Sequence, residues 1–293
     1  HDVMGCFPPL ATGPGLAYGS TSSNGTNLAT QVGTMVFLTP QLEQQAIWNQ
    51  INWQTAPQPW VGYQAWANQI PGLLCPSDTG LGPNTMTYTV GTATMTGYQG
   101  RNNYKVSLGT TTNDNQNNMT TTGLFANNGR STMASIVDGT SHTLAFAEMC
   151  QGNTGNLAEV IGNRAINVAA GMATMTGYYN TGYATCTATS SGKFYTAAYN
   201  TNTGEMQGSR WNDGSAHYSG FTSVLPPNGA SCFSTTPDRV WGIFTPSSRH
   251  PGGAIAAFAD GSTRFVPETI DVMVWQSMGT VQGSEAIDNA LAN

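Results

Sequence analysis

The sequence predicts an α+β fold, an antiparallel sheet with few helices and long loops. Three observations predict it. The first is a hairpin near the C-terminus. Pro251-Gly252-Gly253 breaks the chain, and Ala254 to Ala259 is an apolar run of strand length. Asp260-Gly261 reads as a two-residue turn that favours positive φ. Thr263 to Val266 is β-branched and aromatic and returns antiparallel. Ala256, Ala257 and Ala259 suit a strand pressed closely under a helix. The second observation is a pair of capped apolar stripes, one near Pro40 and one near Pro267. The third is the density of turn residues, with 35 Gly and 15 Pro among 293 residues.

In chain order, residues 1–36 read as a turn-rich loop, with a strand near Met35 to Leu38. Asn24-Gly25-Thr26 and Asn118-Met119-Thr120 match the glycosylation triplet, a frequent chance event in a Thr/Asn-rich chain. A helix is expected from Pro40 to about Trp53. Thr39 would cap it, Pro40 would take the first position, and Leu42, Ala46, Ile47 and Ile51 would form its stripe. Trp48, Trp53, Trp60 and Trp66 are read as core cover in preference to a sugar platform. Ile70 to Cys75 reads as a strand. Residues 79–123 are expected to hold short strands and an exposed loop at Thr110–Thr122. Ser131 to Val137 suggests one helical turn. Asp138-Gly139 then turns the chain into a strand from Thr143 to Met149. Asp138 is expected to accept an N–H within its own turn rather than to ligate a metal. Ala93–Tyr98 recurs identically at Ala173–Tyr178, as an edge strand that packs neighbours would. The last helix is expected from Pro267-Glu268-Thr269 to about Met278, ended by Gly279. Residues 284–293 read as a short terminal helix or a frayed end.

Only 8% of residues are charged, against roughly 25% in an ordinary soluble domain. Aromatics are 10%, so this is not the composition of a disordered chain. The net charge is −6 with nine Lys and Arg. No basic cluster exists, which argues against a nucleic-acid partner. No segment approaches the roughly 18 apolar residues of a membrane span. The five cysteines make no Cys-x-x-Cys pair, so zinc and redox motifs are absent.

The histidines worth testing are His1, His142, His217 and His250. His250 and Asp260 close the two ends of one strand. At roughly 3.3 Å per residue they stand about 30 Å apart, too far for an acid–base pair. No nucleophile elbow, zincin motif or phosphate loop is present. The expectation is therefore no catalysis, no catalytic residue and no assigned metal ligand or cofactor. Calcium is the ion that acidic turns at Asp78, Asp114, Asp138 and Asp213 would suit, with no ligand set named.

His250, nine residues, then Asp260-Gly261 resembles the C-terminal signature of a prepilin-like family abundant in planctomycete bacteria. Gly5-Cys6-Phe7-Pro8-Pro9, Phe37–Gln45, Leu74-Cys75-Pro76-Ser77-Asp78, Val137–Ser141 with Glu148, and Leu225-Pro226-Pro227-Asn228 with Cys232 fall in that family's order. Residues of about 151–210 match poorly and read as an insertion within one domain spanning 1–293. The resemblance implies a pilin-like head whose long N-terminal helix would precede His1, and membrane attachment only through that helix. His250, Asp260, Gly261, Asp138 and Gly139 are then structural motif residues. The implied function is a structural subunit of an extracellular or cell-surface assembly, a pilus-like filament or coat made of copies of itself. The rivals are a secreted carbohydrate-binding or adhesive module, with glycans as partners, and a pseudopilin of a secretion system. In that extracellular setting disulfides are expected. Cys186–Cys232 is the first choice and Cys6–Cys75 the second, although sequence does not fix connectivity.

Overall fold

The computed structural model describes residues 5–12, 31–54, 56, 58–78, 85–112, 119–152, 156, 158–168, 181–196, 198–199, 206–233 and 241–283. The fold is α+β. Seven strands carry most of its sheet: β1 Thr85–Val90, β2 Ala93–Tyr98, β3 Tyr104–Ser107, β4 Leu144–Glu148, β5 Gly220–Phe221, β6 Gly253–Phe258 and β7 Thr263–Pro267. The helices are short: α1 Thr34–Leu38, α2 Gln45–Trp48, α3 Thr181–Thr187, α4 Ala216–Ser219 and α5 Val272–Gly279.

The central sheet runs in the order β7-β6-β4-β3-β5. Its pairs are antiparallel except β3 with β5, which are parallel. In β6 the side chains of Ala254, Ala256 and Phe258 are buried and Ile255 is exposed, the period-two alternation of a half-buried strand. The buried face shares one apolar cluster with Trp275 and Met278 of α5. A helix thus covers the alanine-rich strand, as the small side chains imply. Between β6 and β4 the register shifts, with Ala257 opposite Phe146 and Phe258 opposite Leu144. Ala145 is the extra residue of a β-bulge.

The hairpin turn differs in detail from expectation. Gly261 N–H bonds Phe258 O at 2.9 Å, and Phe258 N–H bonds Ser262 O at 2.8 Å. The loop therefore has three residues, Ala259 to Gly261, not two. Gly261 has φ +86° and supplies the left-handed residue that such loops need. Asp260 accepts from Ser262 N–H and Oγ. Those bonds hold its carboxyl below the ordinary range.

Other elements moved. Met35 to Leu38 lies in α1, not in a strand. The helix expected from Pro40 is broken, and Thr39 ends α1 instead of starting a new helix, its Oγ1 bonding Val36 O at 2.7 Å. Glu43 takes φ +60°, which no helix accommodates, so only Gln45–Trp48 stays helical and Leu42 faces solvent. Ile70 to Cys75 forms a 3-10 turn at Pro71–Leu73. Pro71 lacks the N–H that a strand ladder needs. α5 starts at Val272, later than expected, because Asp271 caps it by accepting from Met273 and Val274 N–H. Within the region read as an insertion, residues 181–187 form the helix α3. Thr111 and Thr112 are buried; the Thr111 and Thr122 side chains clasp the two ends of their loop. The second Ala-Thr-Met-Thr-Gly-Tyr copy, both Asn-x-Thr acceptor asparagines, His1, Asp114 and the terminal helix expected at 284–293 lie outside the described residues.

The region that matched poorly carries its own apolar cluster. Val160, Ala165, Val168 and Tyr195 pack with Val224, Leu225, Ala230 and Ile243. The Cys186–Cys232 disulfide pins it, with Cα atoms 5.7 Å apart. Cys6 and Cys75 are free thiols, so the second expected pairing does not form. Phe7 N–H ties the Cys6 segment to Ser131 O, while Cys75 N–H is held by Asn103 Oδ1. Replacing Cys186 and Cys232 with serine should lower stability by about 2–4 kcal/mol, read as a shifted urea midpoint. An unchanged midpoint would show that the inserted region docks without its bridge. Among the described residues no helix is long and apolar enough to cross a membrane.

Candidate functional site

The segments that the sequence reading singled out converge at the two ends of β6. At its C-terminal end the two Asp-Gly turns meet. Asp260 N–H bonds Thr140 O at 3.1 Å, and Ala259 N–H bonds Thr143 O at 2.9 Å. Gly139 has φ +95°. The Asp138 carboxylate accepts from Thr280 Oγ1 at 3.0 Å and from Gly283 N–H at 2.7 Å. Asp138 thus holds the chain leaving α5, whereas a bond inside its own turn was expected. Asp138, Gly139, Asp260 and Gly261 together form a structural corner.

At the N-terminal end His250 meets groups that sequence reasoning left apart. His250 Nε2 lies 3.8 Å from Glu148 Oε1, with the Glu148 side chain 11% exposed and that of His250 44%. Cys75 completes a trio whose ligand-type atoms all lie within 4.8 Å of one another. Glu148 Oε2 accepts from Ile255 N–H at 2.8 Å, which leaves Oε1 toward His250. Tyr104 stands beside them; burial first, then the nearby Cys75 and Glu148, push its phenol above the ordinary value.

An ionic knot backs this trio. Asp78 Oδ2 accepts from Asn103 Nδ2 and from Gln151 N–H, each at 2.7 Å. Arg249 Nη1 lies 3.1 Å from Glu159 Oε1, and its Nε lies 3.6 Å from Asp78 Oδ1. Asn103 Oδ1 accepts from Cys75 N–H and Gln151 Nε2. Cys150 sits behind the knot, its thiol pushed up to about 12 chiefly by burial, so it stays protonated and inert. Cys75, Asp78, Glu148 and His250 were each visible in the ordered segments. What hid the site was assigning Cys75 to a disulfide and reading His250 only against Asp260.

The remaining histidines divide. His142 is exposed beside Ser141. His217, in α4, is buried with no hydrogen-bond partner at either ring nitrogen. Its ring lies 3.7 Å from that of Tyr218 and 5.9 Å from that of Phe233, centroid to centroid. Burial, then the charges of Arg164, Arg210 and Lys105, hold its pKa well below 6.5. The unfolded chain therefore takes up a proton below about pH 6.5 that the folded chain refuses. Stability is full above that pH and should fall by about 1.4 kcal/mol per pH unit below it, until the folded pKa is reached. Urea midpoints of the parent and His217→Phe from pH 7 to 4.5 should diverge as pH falls. Parallel curves would remove His217 as a source of acid sensitivity.

The fold is thus α+β, with a Cys–Glu–His trio at one end of the interior strands β6 and β4 and Asp-Gly turns that lock α5 at the other. The chain belongs to the family described as a protein of unknown function, DUF1559, whose model matches residues 1–273. No curated protein and no solved structure matches it.

Proposed function

We propose that the chain is a structural subunit of an extracellular or cell-surface assembly, a pilus-like filament or coat of self-copies related to prepilins, with no catalysis of its own. One observation carries the reading. The hairpin β1–β2 is a separate two-stranded sheet, with Thr85 opposite Tyr98 and Val90 opposite Ala93, anchored to the core through Met86. Val90, Met95 and Tyr98 are 41%, 46% and 59% exposed. Gly62 lies against Thr87 O on the β1 side, and among the described residues no further strand pairs with the hairpin, which leaves the outer edge of β2 open. Open edges of this kind are templates for another strand, and soluble proteins usually block them with charge. Here both strands are free of charge.

Electron microscopy of the purified protein tests the reading. Filaments or lattices are expected, and sedimentation should depend little on salt because few ion pairs exist to screen. Thr87→Lys with Thr94→Lys should disperse them without changing the circular dichroism. Monodisperse particles at every concentration would sink the proposal. A second reading, an adhesive module, draws on the aromatic group of Phe37, Trp48 and Trp53 and on Trp60, which is 40% exposed. Monomers that bind glycans would favour it.

A further inference from the structure

We propose that Cys75, Glu148 and His250 form a three-ligand site for a borderline-soft divalent cation, with zinc the best match. The spacing fits. Zinc bonds of roughly 2.0–2.3 Å place tetrahedral ligands about 3.3–3.7 Å apart. The three ligand atoms already lie within 4.8 Å of one another, and the His250–Glu148 separation is 3.8 Å. Side-chain rotation of about an ångström closes the remainder.

The Glu148 side chain is also held from behind, as metal ligands are when outer hydrogen bonds fix their direction, and the backbones that carry Cys75 and His250 are anchored beside it. Ile255 N–H holds the second oxygen of Glu148. Asn103 holds Cys75 through its N–H and is itself fixed by Gln151. Ser248 Oγ accepts from His250 N–H at 3.2 Å, and Ser248 N–H is in turn bonded to Asn228 Oδ1 at 2.9 Å. The ligands come from three stretches distant in sequence, so an ion here ties the 74–78 segment to β4 and to the start of β6. His250 is the most exposed of the three, and the fourth position opens on its side, where water completes the shell.

The donor set decides the metal. A thiolate, an imidazole and a carboxylate suit zinc, whereas calcium and magnesium take oxygen ligands. Three of the four acidic turns first considered for calcium are committed within the protein, and the fourth, Asp114, lies outside the described residues. Asp78 is held by Asn103, Gln151 and Arg249, Asp138 by Thr280 and Gly283, and Asp213 by Arg210 and Ser215. The site thus revises the expectation of no metal ligand, using a cysteine that the sequence reading assigned to a bond.

The test is titration of the metal-free 293-residue chain with Co²⁺, a spectroscopic stand-in, followed by displacement with Zn²⁺. One equivalent should bind, with a thiolate-to-cobalt charge-transfer band that Zn²⁺ abolishes. Cys75→Ser should lose the band. His250→Ala and Glu148→Gln should weaken Zn²⁺ binding at least tenfold. Cys6→Ser and Cys150→Ser should keep both band and affinity. His250 is half-exposed, so its variant remains informative if Cys75→Ser folds poorly, which circular dichroism checks. Zn²⁺ should raise the melting temperature of the parent and not that of His250→Ala. No thiolate band in the parent, or a band that survives Cys75→Ser, overturns the proposal.

Discussion

Asp78→Ala should destabilise the protein by about 2–6 kcal/mol, chiefly through the two buried donors that it orphans. Its side chain is 3% exposed and accepts two short hydrogen bonds, from Asn103 and from Gln151 N–H. Truncation leaves those donors facing an apolar gap, and an orphaned buried donor costs about 1–3 kcal/mol. The ion pair with Arg249 is the smaller part. Its Nε–Oδ1 distance of 3.6 Å is long, and Arg249 keeps Glu159 at 3.1 Å. A double-mutant cycle with Arg249→Met should therefore return a coupling below about 1 kcal/mol. Urea denaturation of the four proteins measures it. A coupling that accounts for most of the loss would mean that charge, not hydrogen bonding, holds the knot.

The knot also shows what was legible in the sequence and what was not. Elements fixed by local chemistry were readable. The Gly261 turn, the β4 strand after Asp138-Gly139, and the β6–β7 hairpin all follow from turn residues beside apolar or β-branched runs. The helix expected at Pro40 failed because its signals were local and the outcome was tertiary. Ile47 and Ile51 are buried, but Leu42 and Ala46 face solvent, so no single helix face met the core. The trio at Cys75, Glu148 and His250 was hidden for a related reason. Its members sit at the ends of elements far apart in the chain, and only the sheet order β7-β6-β4-β3 brings them together. Sequence showed the ordered segments. It did not show that Cys75 faces an imidazole and not another cysteine.

Trp275→Ala should cost about 3–5 kcal/mol, and the loss should be concentrated where α5 meets the sheet. Trp275 is fully buried and stacks on Phe221, ring centroids 6.3 Å apart and planes 18° from parallel. It shares its cluster with Ala147 and Ala256. Those small side chains leave the space above β4 and β6 that an indole fills. The ring also does polar work. Its Nε1 donates to Leu225 O at 2.7 Å, and neighbouring Gln276 Nε2 donates to Val224 O at 2.9 Å. The two bonds tie α5 to the segment just before Cys232. Alanine therefore opens a cavity and strips a buried carbonyl of its donor. Phenylalanine would keep most of the packing and lose only the hydrogen bond, so Trp275→Phe should cost about 1–3 kcal/mol. Cooperative urea unfolding of the three proteins measures both differences. Hydrogen exchange should show the alanine variant opening first in α5 and β6. Equal losses for alanine and phenylalanine would place the whole effect in the Leu225 bond and remove the packing argument for the alanine-rich strand.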